Sequence, residues 1–171
     1  MVHEIRYETP VSEWHFFPRP WVFLAGPTVR GHQQHLQPSW RFAAIEEFKR
    51  LGFEGTLIIP EFTDTSESDK GRKDIPLWEY EGLRCSDCIM FWIPRTRELI
   101  GLTTNFELGY WMREEKYKVL YGRPDDAYRI DYLDILWKKD FEVHEEGESR
   151  IFNSLSDLVK DTMALCDYWA R

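Results

Sequence analysis

Trp21-Val22-Phe23-Leu24-Ala25 is five apolar residues in a row, closed by Gly26-Pro27. A short run with no polar alternation fits a strand buried on both faces, and the Gly-Pro pair fits the turn that ends it. Working outward, the same form recurs at Thr56-Leu-Ile-Ile-Pro60, at Cys88-Ile-Met-Phe-Trp-Ile93 before Pro94, and at Tyr117-Lys-Val-Leu-Tyr121 before Gly122. A fifth, shorter candidate is Arg150-Ile-Phe152. Helical spacing fills the intervals. Ser39 caps a helix carrying Ala44, Ile45, Phe48 and Leu51, with Gly52 as its stop. Further helices are expected from Ile75 to Cys85, from Thr104 to about Glu115, near 128–139, and after Ser154, where Leu155, Leu158, Val159, Thr162, Leu165, Cys166 and Trp169 share a face. Strands alternating with helices predict an α/β fold with a doubly wound, parallel, five-stranded sheet and helices on both faces. Counted from Trp21, the expected strand order is the flavodoxin-like 2-1-3-4-5. In that order ligands meet the loops after Ala25 and after Ile93, where successive connections leave the sheet on opposite sides.

The 171 residues suit one domain. Residues 1–19 read as an irregular arm, rich in Pro and aromatics (Pro10, Trp14, Phe16, Phe17, Pro18), packed on the domain or on a neighbouring subunit. Residues 20–171 then form the single domain. The 8 Trp, 8 Tyr and 11 Phe argue against a disordered chain. No apolar run approaches the ~20 residues of a membrane span, and the first residues lack the features of a signal peptide, so no membrane partner is expected. A net charge of -8 argues against binding a nucleic-acid polymer through its phosphates. Three cysteines, an odd number, fit a reducing cytoplasm better than a disulfide scaffold. The polar stretch Asp64–Asp74 is expected to be a mobile flap.

The loop after the first strand reads Gly26-Pro-Thr-Val-Arg-Gly-His-Gln-Gln-His35. Gly26 permits close approach of a ligand, and Thr28, Arg30, His32 and His35 can bind hydroxyls or a phosphate. The same loop also reads as a plain polar crossover, and it matches neither the dinucleotide nor the Walker pattern. After the third strand, Thr104-Asn-Phe-Glu107 has the form of a capping box, in which Thr104 caps the helix and Glu107 reaches back to its first amide. Glu107 also falls at the expected crevice, where a carboxylate can attack an anomeric carbon. A helix start there would favour its ionised form. Glu79 and Glu81, at i and i+2, point to different faces of their helix, so at most one enters the crevice. Asp87 reads as a turn residue. Cys85-Ser-Asp-Cys88 closes a helix and opens a buried strand, without the further ligands a zinc site needs, so both thiols read as core and neither metal nor cofactor is expected.

Taken in order, Phe23-Leu-Ala-Gly-Pro27, Ser39-Trp-Arg41, Trp78-Glu79, Ser86-Asp87 leading into Phe91-Trp-Ile-Pro94, and Gly101-Leu-Thr-Thr-Asn-Phe-Glu-Leu-Gly-Tyr-Trp111 resemble the nucleoside 2-deoxyribosyltransferase-like family. The resemblance covers about residues 20–125 and is most specific over Thr103–Gly109. It implies the flavodoxin-like sheet, a homo-oligomer, and a small nucleoside or nucleotide and free nucleobase as partners. By position it makes Glu107 the nucleophile, Glu79 the group that contacts and helps protonate the base, and Gly26 and Pro27 part of the sugar and base pocket. There are two departures. Gly101 stands where well-studied members carry an acidic residue that holds the sugar, leaving Thr103, Thr104 and Asn105 as the nearest polar substitutes. Glutamate replaces aspartate at position 79. The expected activity is cleavage or exchange of an N-glycosidic bond, by a deoxyribosyltransferase or by a nucleoside or nucleoside 5'-monophosphate N-glycosidase. A non-catalytic nucleotide-binding or regulatory module on the same fold is the alternative.

Overall fold

Five strands, all parallel, form one sheet: β1 (Val2–Ile5), β2 (Trp21–Ala25), β3 (Gly55–Ile58), β4 (Cys88–Trp92) and β5 (Val119–Gly122), in the order β1-β3-β2-β4-β5. The computed structural model describes residues 1–29, 38–64, 73–142 and 150–169. The helices are α1 (Trp40–Arg50), α2 (Ile75–Cys85), α3 (Leu102–Glu114), α4 (Asp131–Glu142) and α5 (Leu155–Trp169). Without β1, the expected order stands, except that the last expected strand is reduced to one parallel bridge between Gly122 and Phe152.

Every residue of β2, β3 and β4 is buried, as the unbroken apolar runs require of strands covered on both sides. The pleat sorts them. Val22 and Leu24 face a core built with Trp40, Ala44, Ile45 and Phe48 of α1 and Leu158, Val159 and Cys166 of α5. Phe23 and Ala25 face the opposite core, with Trp78 and Leu83 of α2, Leu108 and Trp111 of α3, and Leu133 and Trp137 of α4. The connection after β2 therefore leaves toward one face and the connection after β4 toward the other, which opens a crevice between their ends.

Three expectations are corrected. The first 19 residues are not irregular: β1 pairs with β3 from Val2↔Gly55 to Ile5↔Ile58, and Val11–Phe16 forms a short 3-10 helix. Two apolar residues separated by two polar ones gave too short a pattern to reveal that strand. The arm is pinned at Thr9, whose carbonyl accepts from both Trp14 Nε1 (3.2 Å) and Trp78 Nε1 (3.0 Å). Secondly, α3 starts at Leu102, two residues earlier than expected, with Gly101 in the left-handed region (φ 62°) before it. Thr104 is then the third helical residue and Glu107 the sixth, so no capping box forms. Thirdly, β5 begins at Val119, because Lys116–Lys118 makes a 3-10 turn that leaves Tyr117 exposed.

Cys88 and Cys166 are buried in mutual contact (3.1 Å) as free thiols. The contact with Cys166, together with burial, pushes the Cys88 thiol far above its usual range, which keeps it protonated and inert. Among the described residues no helix is long and apolar enough to cross a membrane.

Gly82 sets how closely α2 lies on the sheet. A Cβ there would stand 2.6 Å from Cε2 of Phe23 and 3.2 Å from Cγ2 of Ile58. Gly82→Ala should lower stability by about 1–3 kcal/mol through overpacking, although alanine is the better helix former by about 1 kcal/mol. Urea unfolding with an unchanged or raised midpoint would contradict this packing.

Candidate active site

The crevice is shaped first by the backbone. Gly26 follows β2 at φ 149°, and a Cβ there would lie 2.2 Å from the carbonyl oxygen of Trp92 and 2.9 Å from the Trp40 ring. Only glycine permits both that conformation and that approach. Gly101 is constrained in the same way from the other side, since its Cβ would stand 2.8 Å from Cβ of Pro27. The loops after β2 and β4 therefore touch, and the site lies over their contact.

Arg41 locks this arrangement. It is 1% exposed, and its guanidinium donates to the carbonyls of Leu24 (2.9 Å) and Gly26 (2.8 Å), to Thr28 Oγ1 (3.3 Å) and to the Glu61 carboxylate (2.8 Å). Glu61 also accepts from Ser39 Oγ (2.7 Å), the residue that caps α1. Such a buried, multiply bonded guanidinium holds a loop in one shape. Its importance had a sequence signal: Arg41 stands three and four residues before Ala44 and Ile45, in the apolar stripe of α1, where a charge needs a partner.

Two adjoining hollows open at the crevice. One, of about 340 Å³, is walled by Gly26, Pro27 and Thr28 from the first loop, by residues 98–102 from the second, and by Phe23, Arg41 and Pro60. The other, of about 670 Å³, is mostly apolar, with Ile75, Pro76, Tyr80 and Leu83 of α2 facing Phe106, Tyr110 and Trp111 of α3. Glu79, Thr103 and Glu107 line both. Thr103 and Glu107 share a wall because they are one helical turn apart. Glu79 comes from α2 and faces them across the seam.

Gly26, Pro27, Thr28, Glu79, Thr103 and Glu107 are thus brought together. Thr104 and Asn105 line neither hollow. Thr104 is buried, and Asn105 accepts from Arg95, which also donates to the Arg129 carbonyl (3.3 Å) and ties α3 to the turn before α4. Burial pushes the Arg95 guanidinium down from its usual value. Arg30, His32 and His35, and most of the expected Asp64–Asp74 flap, lie outside the described residues.

Glu81 pairs with Arg84 (2.6 Å), away from the hollows, so the two α2 carboxylates do face different ways. Asp87 accepts the Trp21 amide (2.7 Å) and pairs with Arg19 (2.5 Å), holding the turn into β4. Sequence reasoning missed Arg41, Glu98 and Tyr7 as residues at or beside the site. Tyr7 is 7% exposed, lies just after β1, and donates a hydrogen bond from its hydroxyl to Oε1 of Glu79.

Glu107, in the second turn of α3, gains little from the helix dipole, which acts mainly in the first turn. What the arrangement offers chemically is two carboxylates from different helices at the junction of a smaller hollow of mixed lining, with Thr28 and Glu98 among its polar groups, and a larger apolar, aromatic one. That pairing suits a substrate with a hydroxylated part and a flat ring, with the bond between them at the seam.

A comparison with curated proteins finds no match. A comparison with family models finds one, described as nucleoside 2-deoxyribosyltransferase like, over residues 19–125, which takes in β2 to β5, Glu79 and Glu107. With that match over well over half of its length, the chain belongs to the nucleoside 2-deoxyribosyltransferase-like family.

Proposed function

We propose that this protein cleaves or exchanges the N-glycosidic bond of a nucleoside or nucleotide through a covalent ester between the sugar and Glu107. The observation that carries this reading is the shared seam: Glu79 and Glu107 line both hollows.

In the first step a Glu107 carboxylate oxygen bonds to C1' as the C1'–N bond breaks, and protonated Glu79 gives its proton to the departing base. In the second, a new base or water bonds to C1', the ester C–O bond breaks, and Glu79 recovers a proton from the incoming nucleophile. Two displacements retain the configuration at C1'. The aromatic hollow between α2 and α3 takes the base, and the hollow beside Gly26–Thr28 takes the sugar. No acidic side chain fits at position 101, where the backbone is left-handed and pressed on Pro27, so Thr103 and Thr28 are the hydroxyl-binding groups on the sugar side. The three free thiols are consistent with a reducing cytoplasm as the place of action.

The protein is also proposed to act as a homo-oligomer. Trp78 and Trp111 are buried, whereas Tyr80 (45%), Phe106 (76%) and Tyr110 (40%) are exposed on α2 and α3 where they line the apolar hollow. A second copy over this rim would cover apolar surface and close the base end to water.

Two measurements test these statements. Base release from a nucleoside and nucleotide panel, with and without an acceptor base, should be abolished by Glu107→Gln and slowed by roughly 10²–10⁴-fold by Glu79→Gln, with Glu81→Gln near neutral. A fully active Glu107→Gln protein would refute the mechanism. Light scattering at micromolar concentration should give a multiple of the 20.6 kDa chain mass, reduced by Phe106→Asp. A wild-type monomer would refute the assembly.

A further inference from the structure

The family match begins at residue 19, yet the site's proton-handling carboxylate is held by a residue before it. Tyr7 follows β1, the edge strand contributed by the arm. Its ring packs against Phe62 and Trp78, with centroids 5.0 Å away in each case, and its backbone amide donates to the Glu61 carbonyl (3.4 Å). Trp78, next to Glu79 on α2, is itself tied to the arm through the Thr9 carbonyl. The arm thus fixes α2 at Trp78 and reaches over to grip the neighbouring carboxylate. Among the described residues, Tyr7 supplies the one side-chain hydrogen bond of Glu79.

We infer that Tyr7 is a positioning residue for Glu79, so that the N-terminal arm is a working part of the active site. The inference rests on the role proposed above for Glu79. A phenol hydroxyl donates to a carboxylate and keeps its own proton at neutral pH. With Oε1 held in this way, Oε2 is the oxygen that carries the proton to the leaving base and takes it back. A half-buried glutamate has three rotatable bonds, one more than aspartate, and the Tyr7 contact removes the freedom that the extra methylene adds. Position 79 carries the longer acid in a chain whose arm supplies a clamp for it. Orientation of this kind acts on the chemical step more than on binding, because a misplaced acid still contacts the base but transfers its proton less often.

The test is a double-mutant cycle on the best substrate of the nucleoside and nucleotide panel, using Tyr7→Phe, Glu79→Gln and both together. Tyr7→Phe keeps the ring between Phe62 and Trp78 and loses only the hydroxyl. It should lower kcat by roughly tenfold, the scale of a hydrogen bond to a charged group, with KM nearly unchanged. In the Glu79→Gln background the same change should have no further effect on kcat. Additive losses would mean that Tyr7 acts independently of Glu79 and would overturn the inference, as would an unchanged kcat in Tyr7→Phe with a large loss in Glu79→Gln, while both outcomes spare the role of Glu79. A silent Glu79→Gln, or no base release by the wild-type protein, would overturn both.

Discussion

The carbonyl oxygen of Trp92 and the backbone of Gly26 approach so closely that no side chain fits between them. This contact, where β2 and β4 end, determines where the two crossover loops run. Because Gly101 is pressed on Pro27 in turn, both loops are held against each other rather than splayed. A buried arginine then ties the end of β2, at the Leu24 carbonyl, to the first loop, at the Gly26 carbonyl and Thr28 Oγ1, and its charge is balanced by Glu61. The crevice of a doubly wound sheet is a consequence of topology. Its particular shape in this protein follows from two glycines and one guanidinium.

On this base, the two carboxylates are placed by helices rather than by loops. Glu79 rides on α2, whose distance from the sheet is set by Gly82 lying against Phe23 and Ile58. Glu107 rides on α3, whose Leu108 and Trp111 are buried in the same core as Phe23 and Trp78. Rigid elements packed on a common core keep side chains in register, as the proposed glycosyl transfer would require of its two carboxylates. The arm joins this scheme from outside the matched region, through β1 on the sheet edge and Tyr7 on Glu79.

Much of this was legible in the sequence because its signals are local and strong. Uninterrupted apolar runs gave β2, β3 and β4, and their alternation with helices gave the order of the strands and the position of the crevice. The difference between Glu79 and Glu81 followed from helical geometry alone. Other features depend on contacts between distant segments. Thr104-x-x-Glu107 matches a capping box in composition, but Gly101 takes the left-handed conformation against Pro27 and starts the helix two residues earlier. Thr104 and Asn105 look like polar site residues, yet one is buried and the other bonds Arg95. Tyr7 carried no local signal, since its partner lies 72 residues away.

The central claim is that Glu107 forms a bond to the sugar. Incubating the wild-type protein with a 2'-fluoro nucleoside, which slows release of the glycosyl ester, and then digesting it for mass spectrometry tests this directly. A nucleophilic Glu107 should yield a peptide containing Glu107 heavier by one fluorinated sugar, with the free base released in equal amount and no label in Glu107→Gln. A label on another residue, or base release with no labelled peptide, would contradict it.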